Sequence, residues 1–263
     1  MHPELASAVD LQLELVDIQR RIQVRVPLPR LQGDPQRIAA LVRAGRPTVR
    51  FEDIPLDWTD FRLAVRQNAD ALHRHEAIES TDYREILALG RDAERLEPLV
   101  RSWYESTGVA ALPETPSKAP GLSPGLEHVL VLSIRPFLAR CAEVLAPPTG
   151  GFSSRVGRCP LCGWEPDFAA ITPSGDRRLV CGRCLAQWAF DPIACPYCAN
   201  DDRSRITSFA TRDGRYRVYA CDRCRRYLKA YDGRNAPRPV LIAVDAIATL
   251  PLDAAAMQRG YSG

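Results

Sequence analysis

The sequence predicts an α+β protein, with an N-terminal all-α helical domain followed by two tandem small metal-binding modules. Three features predict it. Apolar residues recur at helical spacing through the first 145 residues, a Pro- and Gly-rich stretch interrupts the pattern at 146–151, and four Cys-x-x-Cys pairs then fall within 66 residues. The expected divisions are 1–150 for the helical domain, 151–193 for the first module, and 194–263 for the second module with a C-terminal strand and helix.

The first helix runs from Glu4 to about Arg25, with Leu5, Val9, Leu13, Val16 and Ile22 as its stripe. Asp34 followed by Pro35 is an N-cap with proline in the first turn, so Pro35 to Ala44 is a short helix stopped by Gly45. After a loop at Phe51 to Pro55, Asp57 caps a third helix from Trp58 to about Glu76. Ser80 begins a fourth, running toward Ser106 with Ile86, Leu89, Leu96, Val100 and Trp103 inward and a bend at Pro98. Residues 107–125 hold four prolines and no periodicity, which predicts a loop. Ser123 and Pro124 then open a last helix to about Leu145 with a stripe that includes Phe137 and Cys141, and Pro136 as a candidate kink.

Beyond the 146–151 linker the texture changes to turns and short strands. Phe168 to Thr172 and Arg177 to Val180 pair as a hairpin across Pro173 to Asp176, and Ser204 to Thr211 pairs with Arg215 to Ala220 across Asp213-Gly214. The C-terminal stretch predicts a strand at Val240 to Val244 and a helix from about Asp253.

The cysteine pairs are Cys159/Cys162, Cys181/Cys184, Cys195/Cys198 and Cys221/Cys224, separated by 18, 10 and 22 residues. Two residues between cysteines let both sulfurs face one ion from a tight turn, and two such knuckles complete a tetrahedral shell. The longer gaps of 18 and 22 residues each hold one hairpin, as in a zinc ribbon or rubredoxin, so each ion takes two consecutive knuckles. Pairing of the first knuckle with the third and the second with the fourth stays open on spacing alone. Four thiolates leave no vacant position, which argues against hydrolytic metal chemistry and for either a structural ion or a rubredoxin-like iron. The expected cofactors are thus two tetrathiolate-bound ions per chain, iron or zinc.

Other candidates weigh less. Cys141 lies on an apolar stripe and reads as a buried thiol, and no histidine is near the cysteine pairs. Trp164 and Trp188 lie close to knuckles, where small modules need aromatic filler. The segment 201–230 has eight arginines and one lysine against four aspartates, interleaved with aromatics. Such a ribbon suits single-stranded nucleic acid, an acidic protein surface, or compensation of a negatively charged metal site. The formal charge of +3 does not by itself favour nucleic acid, and no phosphate-binding glycine loop occurs. Without a basic n-region, an apolar h-region or a spanning apolar run, the sequence predicts a cytoplasmic protein with reduced thiols and no membrane insertion.

Residues 159–261 resemble the formate dehydrogenase accessory protein family, FdhE. The resemblance rests on Cys159-Pro-Leu-Cys-Gly163, Leu179-Val-Cys-Gly-Arg-Cys184, Trp188, Cys195-Pro-Tyr-Cys198, Cys221-Asp-Arg-Cys-Arg-Arg-Tyr-Leu-Lys229 and the tail from Val244 to Asp253. Ala199, Pro192 and Ala246 depart from the family pattern. The resemblance implies a non-enzymatic maturation factor for respiratory formate dehydrogenase, with all eight cysteines as metal ligands and the enzyme's catalytic subunit as partner. Arg223, Arg225, Arg226 and Lys229 surround a knuckle and are the candidate partner-binding residues. A rubredoxin-like electron carrier and a nucleic-acid-binding ribbon are the competing functions.

Overall fold

The computed structural model describes residues 3–31, 34–108, 121–145, 152–154 and 157–263. Most of the expected 107–125 loop, at 109–120, and the 146–151 linker with the 150/151 boundary lie outside the described residues.

Helices α1 (Pro3–Arg25), α2 (Pro35–Arg43), α3 (Trp58–Arg74), α4 (Ser80–Arg91), α5 (Ala93–Gly108) and α6 (Pro124–Leu145) form the first half. Their starts follow the capping residues. Asp34 accepts from the Gln36 N–H at 3.0 Å, Asp57 accepts from Thr59 and Asp60 at 2.9 and 3.0 Å, and the Ser123 hydroxyl accepts from Leu126 at 3.2 Å. The expected long fourth helix is two helices, broken at Asp92 and not at Pro98. Asp92 leaves the helical region with ψ 92° and accepts from the Arg95 N–H at 3.1 Å, so it restarts the chain as a cap six residues before the proline. Helix α6 continues through Pro136.

α3 packs against α1, α4 and α6. The core they share holds Phe61, Leu72, Leu96, Val100, Leu130 and Phe137, each shielded from solvent. Arg140 of α6 donates to the Gln23 and Val26 carbonyls at 3.2 and 3.0 Å, satisfying acceptors left open where α1 ends.

The second half is organised by one sheet. Its strands are β1 (Phe152–Ser153), β2 (Pro166–Ile171), β3 (Arg177–Cys181), β4 (Gln187–Ala189), β5 (Ile206–Ala210), β6 (Tyr216–Cys221) and β7 (Tyr227–Asp232), in the spatial order β1-β4-β3-β2-β7-β6-β5. Both expected hairpins are present, β2/β3 and β5/β6. The two modules join through β2 and β7, which run parallel with Ala169 opposite Ala230 and Ala170 opposite Tyr231. On one face Ala169, Leu179, Trp188, Leu228 and Ala230 enter the same core as the helices. The opposite face, with Phe168, Val180, Val218, Ala220 and Tyr231, forms a second core with Leu252 and Ala256.

Those last two residues belong to α8 (Leu250–Gln258), which follows α7 (Ile242–Ala248). The expected strand at Val240 to Val244 is therefore replaced by the start of a helix, and the next helix starts at Leu250, earlier than Asp253. A short β-branched run carries too little periodicity to choose between strand and helix. Here Asp245 chooses, because its carboxylate reaches back to the Leu241 N–H at 2.7 Å and also accepts from Tyr216 and Arg238 at 2.8 and 2.6 Å. Asp245 is fully buried.

Replacing that carboxylate, as Asp245→Ala, leaves three donors without their acceptor. The expected loss is about 2 kcal/mol, read by urea unfolding of the metal-loaded protein. A change below about 0.5 kcal/mol would mean that this network does not hold α7 to the sheet.

Candidate metal centres

Each knuckle is the same six-residue turn. In the first, the Gly163 N–H donates to the Cys159 carbonyl at 2.8 Å and the Cys159 N–H to the Trp164 carbonyl at 2.8 Å. The other three repeat both bonds: Leu185 to Cys181 and Cys181 to Ala186, Ala199 to Cys195 and Cys195 to Asn200, and Arg225 to Cys221 and Cys221 to Arg226. Closing the turn requires a left-handed residue just after the second cysteine. That residue is Gly163 at φ 76°, Leu185 at 60°, Ala199 at 55° and Arg225 at 58°. Only one of the four is the glycine that such a conformation favours.

The turns bring together Cys159, Cys162, Cys181 and Cys184 in one group, and Cys195, Cys198, Cys221 and Cys224 in another, which is the sequential pairing. In the first group Cys159 and Cys184 sulfurs are 3.5 Å apart, Cys162 and Cys181 3.5 Å, and Cys162 and Cys184 3.6 Å. In the second, Cys195 and Cys224 are 3.7 Å apart, as are Cys198 and Cys221. A tetrahedral ion with bonds of about 2.3 Å sets its sulfurs about 3.8 Å apart, whereas a disulfide needs about 2.05 Å. The spacing fits a tetrathiolate shell for iron or zinc. Backbone N–H groups of Arg183 and Cys184 also point at the Cys181 sulfur at 3.4 Å, the usual support for a thiolate ligand.

The two groups have different surroundings. All four sulfur residues of the first are buried within the helical core cluster, together with Leu161 of the first knuckle. The chain before α3 clasps that knuckle, with Thr48 and Val49 N–H groups donating to the Pro160 and Leu161 carbonyls at 2.9 and 3.0 Å. Arg135 of α6 donates to the Gly182 and Arg183 carbonyls at 2.6 and 3.0 Å. Arg183, between the two cysteines of its knuckle, is fully buried beneath the rings of Trp164, Trp103 and Tyr104 at 4.0, 4.5 and 4.8 Å. Burial opposes ionisation of Cys162, but contacts from the other three sulfurs and the Arg183 charge hold its thiol well below the usual value.

In the second group Cys198 and Cys224 are half-buried. Arg177 donates to the Ala194 carbonyl at 3.0 Å beside this shell and lies over Tyr219. Contact with the Cys195 sulfur holds the Cys224 thiol down at about 5. Cys141 joins neither group. Burial pushes its thiol up to about 12, as suits an inert core residue.

The four residues proposed from sequence for partner contact are dispersed in their roles. Arg226 pairs with Glu165 at 2.9 Å and stacks on Tyr197 at 3.6 Å, and Lys229 pairs with Asp253 at 2.6 Å. Arg225 donates to the Arg259 and Gly260 carbonyls and lies over Tyr261 at 4.2 Å, and Arg223 is exposed. Much of this charge is thus engaged within the molecule. Arg226 and Lys229 line a groove of about 630 Å³, whose apolar walls include Leu11 and Leu15 of α1, Leu132 of α6 and Ile242 of α7. Asp167 is exposed into this groove, where the crowding of neighbouring walls raises its carboxyl above the ordinary value against the pull of Arg135 and Lys229. Sequence reasoning missed Arg135, Arg177 and Arg183, and the groove. In so arginine-rich a chain only the position of Arg183 inside a knuckle gave any signal. No helix among the described residues is long and apolar enough to cross a membrane.

No protein-family model matches the chain. A FdhE homolog from Aquifex aeolicus is 30% identical over 108 residues, 39% of this chain and 38% of that protein. A FdhE homolog from Pectobacterium carotovorum is 28% identical over 107 residues, 40% of this chain and 34% of its own length. The matched part therefore spans little more than a third of these curated relatives. A crystal structure of the FdhE protein from Pseudomonas aeruginosa superposes with a TM-score of 0.62 over 98% of this chain and 91% of that one, at 20% identity, which shows a shared fold. Together the sequence and fold likenesses bear out the resemblance to the FdhE family.

Two outcomes follow from the knuckle geometry. Elemental analysis of anaerobically purified protein is expected to give two ions per chain, and X-ray absorption four sulfurs at about 2.3 Å around each. Ala199→Gly is expected to stabilise the loaded protein by about 0.5–1 kcal/mol, since the exposed Ala199 side chain leaves its left-handed backbone uncompensated. A lowered thermal midpoint for this variant would count against strain at the turn.

Proposed function

We propose that this chain is a cytoplasmic accessory factor for formate dehydrogenase, one that binds the enzyme's catalytic subunit during maturation and performs no turnover itself. The observation that carries this reading is the conjunction of a FdhE fold along nearly the whole chain with two sulfur groups that each close a metal shell. A four-thiolate shell offers substrate no coordination position, so the ions support shape, or at most move electrons, and do not activate water or formate.

The contact surface in this proposal is the groove between the helices and the sheet. Its apolar walls supply area, while Asp167, Lys229 and Arg226 supply polar groups at fixed positions. A client segment seated there would touch both halves of the molecule. The half-buried Cys198 and Cys224 favour one second reading, electron transfer through an iron in the outer group. A reversible red ferric-thiolate colour supports that role, and a colourless zinc-loaded protein that is fully active as an accessory factor removes it.

Deleting the gene is expected to lower formate dehydrogenase activity in cell extracts while the catalytic polypeptide is still made. Ala246→Trp, which fills the groove from α7, is expected to weaken co-purification with the catalytic subunit at least tenfold and to leave two ions per chain. Undiminished enzyme activity in the deletion strain, in the absence of a related protein, overturns the accessory role. Undiminished co-purification of Ala246→Trp moves the contact elsewhere.

A further inference from the structure

We propose that the two cysteine groups hold their ions with different permanence. The first ion is a locked part of the helical core, with Arg183 and Arg135 as its counter-charges, and the second exchanges with solvent while the fold persists. Four thiolates around a divalent ion carry an excess charge of −2, and burying that charge is costly unless cations lie beside it. The first group sits in the core with all four cysteines buried. Two arginines supply the matching charge. Arg183 is fully buried between Cys181 and Cys184, and three aromatic rings at 4.0–4.8 Å hold its guanidinium in place. Arg135 reaches from α6 to the carbonyls of Gly182 and Arg183 within the same knuckle.

Loss of the first ion would leave these two cations facing four thiols in a closed interior. It would also release the knuckle that Thr48 and Val49 clasp and the ring cage that α5 contributes through Trp103 and Tyr104. The helices therefore resist that release. At the second group the balance differs. Arg177 is a buried cation beside this shell too, but Arg226 is already paired with Glu165, and Cys198 and Cys224 are only partly buried where all four cysteines of the first group are buried. Water can solvate that site's charge and a competing ligand can reach its sulfurs.

The test uses the full chain loaded with zinc and challenged with excess EDTA, with released zinc, far-ultraviolet circular dichroism and tryptophan fluorescence followed together. Zinc is expected to leave in two equal phases, the slower at least tenfold slower and coincident with loss of helical signal and with a change in tryptophan emission. Arg183→Met, which keeps length and removes charge, is expected to speed the slow phase at least tenfold and leave the fast phase unchanged, and Arg183→Lys to restore part of the difference. Cys224→Ser provides an independent check if Arg183→Met does not fold, because it is expected to retain the helices and one slowly released ion. A single release phase, a fast phase that melts the helices, a fast-releasing ion in Cys224→Ser, or equal acceleration of both phases by Arg183→Met would overturn the proposal.

Discussion

Four sulfurs must converge on one point about 2.3 Å from each, and the architecture of the second half follows from meeting that demand twice. A single Cys-x-x-Cys turn presents two sulfurs, so each group has to bring back a second turn from 18 or 22 residues along the chain. An antiparallel hairpin is the shortest regular way to do it. Strands β2 and β3 return the chain to Cys181, and β5 and β6 return it to Cys221. The turn imposes its own cost, a left-handed residue at each knuckle, and at Leu185 and Arg225 the side chain recovers part of it by packing or by holding the C-terminal carbonyls.

The same demand ties the halves of the molecule together. Had the first group been solvent-exposed, the helices would need no connection to it. It is buried instead, and burial of a charged shell requires cations and a tight cover. The helical half provides both, through Arg135, the cage over Arg183 and the backbone clasp at Thr48 and Val49. Metal site and helical core are consequently one cooperative unit in structure, although the sequence divides them with a linker.

What the sequence makes legible is what is encoded locally. Caps such as Asp34, Asp57 and Ser123 announce helix starts, and Asp213-Gly214 announces a hairpin, because each acts within a few residues of itself. The cysteine groups are legible for the same reason, as spacing between knuckles measures hairpin length. Where two local signals compete, the stronger one was not the more conspicuous: Asp92 ends α4 by offering its carboxylate to a backbone N–H, while Pro98 is absorbed into α5. Strand β7 was illegible because it emerges directly from a knuckle, without a turn residue of its own. Its parallel partner β2 is about 60 residues away in sequence, and no local pattern specifies a pairing over that distance.

That parallel pairing has a functional implication of its own. Ala169 and Ala230 meet at the centre of the sheet with no side-chain bulk between the strands and the core, so the two modules share a rigid backbone ladder and cannot move as beads on a string. The groove is built from both sides of this junction, with Asp167 and Phe168 on β2, Tyr227 and Lys229 on β7, and α1, α6 and α7 as walls. Any ligand seated in it would contact groups whose relative positions are fixed by the sheet, and little conformational entropy would remain to be lost on its side of the interface. A surface so preorganised is suited to selecting one conformation of a bound segment over another, which is what the accessory role proposed above would require of it.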